Sequence, residues 1–129
     1  MAEALPDLAA LNQPRKPNQY LAMPPGFGRA RPHRTVPVFP RPAAELAEAV
    51  RAMALAQPRT ILKAQAEDGL HMDFVQRSAL FRFPDIVTVQ IVPVDDARAT
   101  LAIYSRSVYG HRDFGVNRNR VDDWLTRLA

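Results

Sequence analysis

Proline is concentrated at the start of this chain, and that concentration limits what the first third can form. Nine of the twelve prolines lie within residues 1–42. Because proline has no backbone N–H and a fixed φ, such a segment cannot supply the interior of a helix or a central strand. We therefore expect residues 1–34 to form an extended arm and residues 35–129 to form a single folded domain.

The arm also carries much of the positive charge of the chain, whose formal net charge is +4. Residues 1–42 contain six arginines and lysines against two acidic residues. A basic arm of this kind can bind an acidic protein, an anionic lipid or a nucleic acid. It can equally be a solvated tail.

Composition restricts the class of protein further. With 129 residues, 47% of them hydrophobic, the chain can bury one globular core. It has no cysteine, which excludes disulfides and thiolate metal sites. No apolar run reaches the roughly 18 residues that a membrane-spanning helix needs, and the N-terminus lacks a signal-peptide pattern. We expect a cytoplasmic protein, either free or docked peripherally on a membrane complex.

From Thr35 onward the pattern of apolar residues becomes regular. Thr35–Phe39 predicts a short strand, and Pro37 restricts it to a sheet edge. An apolar stripe that includes Leu46 and Val50 predicts a helix over residues 43–57. The pattern then predicts four strands, at 60–66, 70–77, 86–93 and 99–109, and a helix over 118–128 with Asn117 as its N-cap.

The resulting order, β-α-β-β-β-β-α, predicts an α+β fold. Five largely antiparallel strands form the sheet, and both helices pack on one of its faces. The first hairpin turns at residues 67–69. A three-residue loop there would pair Leu62 with Phe74 and Ala64 with Met72, which keeps the apolar side chains on one face.

The sheet face away from the helices provides the first set of candidate binding residues. Because side chains alternate along a strand, His71 and Asp73 share this face with Tyr104 and Arg106. An open antiparallel sheet ordinarily presents polar side chains to water; a shallow surface for a ligand or partner is the sharper interpretation. His71 and Asp73 are too few ligands for a metal, and no metal or cofactor is predicted.

The loop before the last helix provides the second set: Asp113, Asn117, Arg118 and Arg120. The helix dipole disfavours cations in the first turn by about 0.3–1 kcal/mol, so an anionic group should lie nearby. An internal aspartate would lock the loop to the sheet, whereas an external phosphate or carboxylate would make the loop an anion site. The candidate internal partners are Asp113, Asp122 and Asp123.

The sequence predicts no catalytic residues. Ser78, Ser105 and Ser107 lack the glycines of a nucleophile elbow, and no histidine can be assigned to them from the sequence. The neighbouring carboxylates Asp95 and Asp96 lie in a turn. Enzymatic activity is therefore left open, with nothing in the sequence that indicates it.

A long motif near the C-terminus resembles that of a known family. It reads Ser105-Arg-Ser-Val-Tyr-Gly110 followed by Asp113-Phe-Gly-Val-Asn-Arg-Asn-Arg120, and it is similar to the pattern S-R-S-x-x-G-x-x-D-x-G-x-N-R-x-R of the bacterial and plastid "domain of unknown function 1499" family. The resemblance extends over residues 17–129. It implies a fold and the location of a site, but no activity, because that family has no established one. The motif positions are Ser105, Arg106, Ser107, Gly110, Asp113, Gly115, Asn117, Arg118 and Arg120.

We expect a non-enzymatic interaction module, an accessory subunit that docks on a larger protein assembly through its arm and its polar sheet face. The alternative is a carrier that binds a small anionic or amphipathic ligand at the arginine-rich loop. Nucleic-acid binding ranks third, because aromatic residues are not interleaved with the arginines of the arm as a stacking surface requires.

Overall fold

The computed structural model describes residues 5–110 and 113–129, in which six strands form one sheet with two helices on one face. The strands are β1 (Gln19–Met23), β2 (Arg34–Thr35), β3 (Thr60–Gln65), β4 (His71–Arg77), β5 (Pro84–Pro93) and β6 (Ala99–Ser107), and the helices are α1 (Ala43–Leu55) and α2 (Val116–Leu128). The order across the sheet is β2-β1-β6-β5-β4-β3, and only β1 and β2 run parallel. The predicted α+β fold is confirmed, with six strands rather than five. Residues 1–4 of the expected arm and residues 111–112 of the loop lie outside the described residues.

The additional strand, β1, comes from the segment that was expected to be an extended arm. It occupies the proline-free interval between Pro17 and Pro24. Its residues pair with β6 from Gln19 opposite Arg106 to Ala22 opposite Ile103. The high proline content of the surrounding segment concealed an interval that is long enough for a strand.

The expected strand Thr35–Phe39 is interrupted at its proline. Strand β2 ends at Thr35, and Phe39 makes only an isolated bridge to Ala99. Pro37 cannot donate a backbone hydrogen bond, and its carbonyl accepts one from the Thr100 hydroxyl at 2.9 Å. The short β2 lies at the edge of the sheet, where the proline required it to be.

Both helices pack their apolar stripes on the same face of the sheet. In α1 the buried residues include Leu46 and Val50, and in α2 they include Trp124. The Trp124 ring meets the ring of Phe74 on β4 edge to face, with centroids 5.9 Å apart. This layer forms the larger of two hydrophobic clusters.

The hairpin of β3 and β4 has a β-bulge. Leu62 lies opposite Phe74 as predicted, but the predicted pairing of Ala64 with Met72 is wrong. Ala64 lies opposite Asp73 because the register shifts by one residue between Leu62 and Ala64. The bulge therefore keeps the predicted register at Leu62 and changes it by one residue from Ala64 onward.

The opposite face of the sheet, expected to be open, is partly covered by the segment that precedes and follows β1. A 3-10 turn at Leu8–Ala10 lies over this face, and the Leu8 N–H donates to Gln90 Oε1 at 3.1 Å. Gly28 permits close packing here, because a Cβ at that position would lie 3.1 Å from the Ala9 backbone. The result is a second hydrophobic cluster, made of Leu8, Leu21, Met23, Ala30, Ala102 and Tyr104.

Replacing Leu21 tests the role of β1. Leu21 is fully buried, so Leu21→Ala should lower the free energy of unfolding by about 2–5 kcal/mol through the lost contacts and the cavity. Leu80→Ala is the matched control, since Leu80 is 80% exposed, and it should change that free energy by less than about 0.5 kcal/mol. Urea denaturation measures both. Equal, small effects would contradict the packing of β1 in the sheet.

Candidate functional site

Strand β6 divides the C-terminal motif between the two faces of the sheet. Ser105 points toward α2, where its hydroxyl donates to Asn117 Oδ1 at 2.6 Å. Tyr104 and Arg106 alternate with it and lie on the opposite face. The eight candidate residues therefore do not form one site. One group lies at the start of α2 and consists of Asp113, Asn117 and Arg120. A second group lies on the opposite face of the sheet and consists of His71, Asp73, Tyr104 and Arg106. The remaining candidate, Arg118, points outward.

Asn117 is the centre of a polar network under the start of α2. It is fully buried, and it is not the N-cap that the sequence predicted, because the helix begins one residue earlier, at Val116. Its side-chain amide donates to the Asn18 carbonyl at 3.0 Å and to Asp113 Oδ2 at 2.7 Å. One side chain thus joins α2, the loop, β6 and the residue before β1.

Arg120 is the cation of this network, and its internal partner is Asp85 on β5. Their side chains are only 9% and 14% exposed, and the guanidinium lies 2.8 Å from the carboxylate. The remaining guanidinium hydrogens reach Gln76, Ser105 and Asn117. A buried ion pair is tolerated when its other donors and acceptors are satisfied in this way. Arg120 thus ties α2 to the sheet through Asp85, which was not among the three aspartates proposed from the sequence.

Asp113 performs the capping role instead. Its carboxylate accepts from the backbone N–H of Gly115 at 2.9 Å and from that of Asn117 at 3.0 Å. Burial alone raises the pKa of Asp113, but the hydrogen bonds from Asn117 and Gly115 outweigh it and hold the pKa below its usual value. The negative charge of Asp113 is therefore engaged by backbone N–H groups at the start of α2.

Arg118 faces outward, with 70% of its side chain exposed and its Nε 3.8 Å from the Asp122 carboxylate. It lines a cleft of about 400 Å³ together with Arg15 and Lys16. We call this the basic cleft. Its lining residues are Pro14, Arg15, Lys16, Pro17, Gln19, Tyr20, His33, Asp113, Gly115 and Arg118.

His33 forms one wall of the basic cleft. Its ring stacks on Tyr20 with centroids 5.2 Å apart, and its Nδ1 accepts from the Leu21 N–H at 2.9 Å. Burial lowers the pKa of His33, so the ring is neutral at neutral pH, with its proton on Nε2. The positive charge of the cleft comes from Arg15, Lys16 and Arg118.

The four candidates on the opposite face include an enclosed polar chain. The Thr88 hydroxyl donates to Asp73 and accepts from Arg106 at 2.9 Å. The Arg106 guanidinium lies over the Tyr104 ring, 4.6 Å from its centroid. Burial lowers the pKa of Arg106, while Asp73 and Tyr104 act in the other direction. Since an arginine remains charged at neutral pH, this is an internal, charge-balanced group rather than an open surface.

His71 makes no hydrogen bond to the Asp73–Thr88–Arg106 group through its Nε2. Its Nε2 is buried and has no hydrogen-bond partner among the described residues. Within residues 5–110 and 113–129, no three or more His, Asp or Glu side chains are grouped as a metal site would require.

Over the same ranges, no helix is long and apolar enough to cross a membrane.

Sequence reasoning missed the residues that complete these groups. Arg15, Lys16 and His33 meet Arg118 only because β1 pairs with β6, a contact that the prolines concealed. Asp85 and Gln76 reach Arg120 through sheet order alone. The proline-free interval before Pro24 was the one signal in the sequence that could have indicated β1.

These features define a class of protein, a small α+β domain whose C-terminal motif is built into a buried polar network. The chain belongs to the family described as "Protein of unknown function (DUF1499)", whose family model matches residues 11–128. The resemblance inferred from the motif is thereby confirmed. No curated protein and no solved structure matches the chain significantly.

The network predicts a large loss of stability on replacing Arg120 and a small one on replacing Arg118. Arg120→Gln should lower the free energy of unfolding by about 3–5 kcal/mol, because it leaves Asp85 buried without its cation. Arg118→Gln makes the same chemical change on an exposed side chain and should cost less than about 0.5 kcal/mol. Urea denaturation at neutral pH measures both. Similar losses for the two variants would refute the assignment of Arg120 to an internal lock.

The lowered pKa of Asp113 predicts that the free energy of unfolding depends on pH. Its folded-state pKa is lowered, so the ionised carboxylate stabilises the fold above about pH 4, and this contribution is lost as the pH falls through the folded-state value. The difference in unfolding free energy between the wild type and Asp113→Asn should be constant near neutral pH and shrink below about pH 4. Denaturation curves over a pH series measure it, and a difference that does not change with pH would contradict the capping role.

Proposed function

We propose that the protein is a non-enzymatic binding module, an accessory subunit whose basic cleft receives an anionic group of a protein partner. The observation that supports this is the convergence of Arg15, Lys16 and Arg118 on one cleft. Among the described residues, Arg15 and Lys16 have no recorded ion pair, and Arg118 has only the long contact with Asp122. A carboxylate or phosphate would supply the counter-charge.

The surroundings of the cleft favour an anion. Its one carboxylate, Asp113, already accepts hydrogen bonds from the start of α2. The positive end of the α2 dipole is directed toward the same region. Because the uncompensated charges are positive, an acidic peptide or a phosphate fits better than a neutral or cationic group.

The use of the motif side chains favours binding over catalysis. Ser105, Asn117 and Arg120 have their hydrogen bonds inside the protein, and Asp85 is paired with Arg120. Groups committed in this way are poor candidates for a nucleophile or for a general acid or base, which needs a free position against the substrate. The support for a binding module is strongest at the cleft and weakest at the sheet face, which residues 8–30 partly cover.

The docking surface that we propose therefore differs from a free arm. Residues 14–17 line the cleft, and we propose that a partner meets them there as one wall of that cleft. A cytoplasmic setting, in which the subunit is free or docked on a membrane complex, agrees with this proposal.

A carrier of a small anion is the second candidate, because a volume of about 400 Å³ falls within the range of small-molecule sites, roughly 300–1,000 Å³. The same residues would hold the ligand in both cases. The two candidates differ in what is bound, a protein or a small molecule, and one experiment separates them.

Charge reversal in the cleft tests the proposal. Arg118→Glu should weaken binding of a captured partner, re-measured with both proteins purified, by about tenfold, because it introduces repulsion toward the anionic group. Arg41→Glu makes the same change outside the cleft and should leave the affinity unchanged. Calorimetry with each purified variant gives the two values of Kd.

The other outcomes are informative as well. A small-molecule adduct in native mass spectrometry that Arg118→Glu removes would favour the carrier. Capture that nuclease abolishes would indicate nucleic acid. A partner bound equally by the wild type and by Arg118→Glu would refute the cleft as the docking site.

A further inference from the structure

One end of the sheet exposes a group of large apolar side chains. They lie in the loop between β4 and β5, in the loop after β6 and just before α2, and they are Leu80, Phe81, Phe83, Tyr109 and Phe114. We call this group the apolar end. The exposed fractions are 80% for Leu80, 68% for Phe81 and 94% for Phe114. Phe81 and Phe83 stack with ring centroids 5.5 Å apart, and Tyr109 lies 6.1 Å from Phe83. These ring contacts join Phe81, Phe83 and Tyr109 into one exposed apolar patch, and such a patch marks an interaction surface.

The backbone at this end is strained. In the described part of the chain, the non-glycine residues with positive φ are Arg59, Arg82 and Phe114, at 53°, 60° and 54°. All three belong to the turns at this end of the sheet. A bulky residue in the left-handed region costs conformational free energy. The turn at Phe114 is closed by hydrogen bonds from Gly115 and Asn117 to Asp113, and it holds the Phe114 side chain 94% exposed.

Arginines flank the apolar end. Arg59, Arg77 and Arg82 line a cleft of about 480 Å³ beside an apolar wall that includes Ile61 and Val75. Backbone carbonyls hold two of them in place: Arg59 Nε donates to the Arg77 carbonyl at 2.9 Å, and an Arg77 terminal nitrogen donates to the Arg82 carbonyl at 3.0 Å. None of the three has a recorded ion pair with a described residue, so each keeps N–H groups for an external anion.

Charge is distributed unequally between the two ends of the sheet. The carboxylates of Asp85 and Asp113, at the apolar end, are both used inside the protein. The β3–β4 and β5–β6 hairpin turns lie at the opposite end of the sheet, and they contain four acidic residues. These are Glu67, Asp68, Asp95 and Asp96. At that opposite end Asp95 is paired with Arg98 at 2.7 Å. The molecule therefore presents an apolar surface with a basic rim at one end and a group of acidic turns, partly offset by Arg98, at the other.

We propose that the apolar end docks on an anionic lipid surface. The exposed side chains of the two loops enter the boundary between headgroups and acyl chains, and Arg59, Arg77 and Arg82 contact lipid phosphates. Apolar insertion combined with basic contacts is the pairing that gives stable peripheral binding. This surface shares no side chain with the basic cleft, so the proposal does not depend on the function proposed for that cleft.

Lipid fits this surface better than nucleic acid or protein. Phe81 and Phe83 already stack on each other, and Leu80 is aliphatic, whereas a nucleic-acid platform presents separate aromatic faces to successive bases. The apolar side chains are at the tips of loops, which insert readily into a fluid layer. The flanking charge is of one sign, which complements an anionic surface rather than the mixed rim of a protein interface.

Vesicle binding tests the proposal. The full chain should cosediment with vesicles of phosphatidylcholine and phosphatidylglycerol more strongly than with phosphatidylcholine alone. The double variant Phe81→Ser/Phe83→Ser should reduce the partition coefficient by about tenfold through lost apolar insertion. Val38 and Val94, which are 48% and 44% exposed, lie away from this end, and Val38→Ser/Val94→Ser is the matched control that should leave binding unchanged.

Charge is tested separately. Arg82→Gln should reduce binding to the anionic vesicles by about fivefold, while Arg98→Gln, in the turn at the opposite end, should leave it unchanged. In the otherwise unaltered chain, Phe81→Trp provides a reporter of insertion, since brominated lipids should quench its emission. The native Trp124 is 1% exposed, and its emission in the wild type gives the background.

Several results would overturn the proposal. These are no binding to anionic vesicles, binding that the phenylalanine double variant leaves unchanged, or emission from the Phe81→Trp variant that brominated lipids do not quench. Sedimentation velocity of the same variants detects self-association, and a dimer that Phe81→Ser/Phe83→Ser abolishes would make this surface an interface between copies. Nucleic acid bound in a nuclease-sensitive manner and lost in that variant would likewise replace lipid. If the double variant does not fold, as judged by circular dichroism, the Phe81→Trp quenching decides.

Discussion

The ion pair between Arg120 and Asp85 connects the last helix to the middle of the sheet, and the geometry of the C-terminal half depends on it. Removing two charges from water is unfavourable unless their remaining donors and acceptors are satisfied. Gln76, Ser105 and Asn117 meet that need for Arg120. Because these partners lie on β4, β6 and α2, the contacts of the guanidinium fix the position of the helix relative to the two strands. The position of the α2 N-terminus follows from that arrangement.

The same network extends to the start of the chain. The Asn18 carbonyl accepts from Asn117, and its side-chain amide donates to the Gly110 carbonyl at 2.6 Å. Strand β1 is thereby fixed to the loop at one end and paired with β6 along its length. The basic cleft is a consequence, because its two walls, residues 14–17 and the start of α2, are held together by Asn18 and Asn117. The motif that the sequence presents as a charged site thus fixes the walls of the cleft beside it.

The sequence predicted the features that depend on short-range pattern. The stripes of α1 and α2, the edge restriction imposed by Pro37 and the alternation that separates Met72 from Asp73 all follow from local periodicity. Pairing between distant segments was not predictable in this way. β1 follows from pairing between residues more than eighty positions apart, and Asp85 becomes the partner of Arg120 through strand order alone. The candidate residues are divided between two faces of the sheet, because Ser105 and Arg106 are neighbours on β6 and point in opposite directions.

The two edge strands have a consequence for how this protein can assemble. The edge strand β2 is two residues long and is followed by Pro37, while β3, at the other edge, contains the bulge between Leu62 and Ala64. Short, proline-limited or bulged edges are poor templates for a further strand. The sheet is therefore protected against edge-to-edge polymerisation. A partner that extended the sheet would meet a two-residue strand at one edge and a bulged strand at the other, so strand addition is an unfavourable route to assembly for this chain.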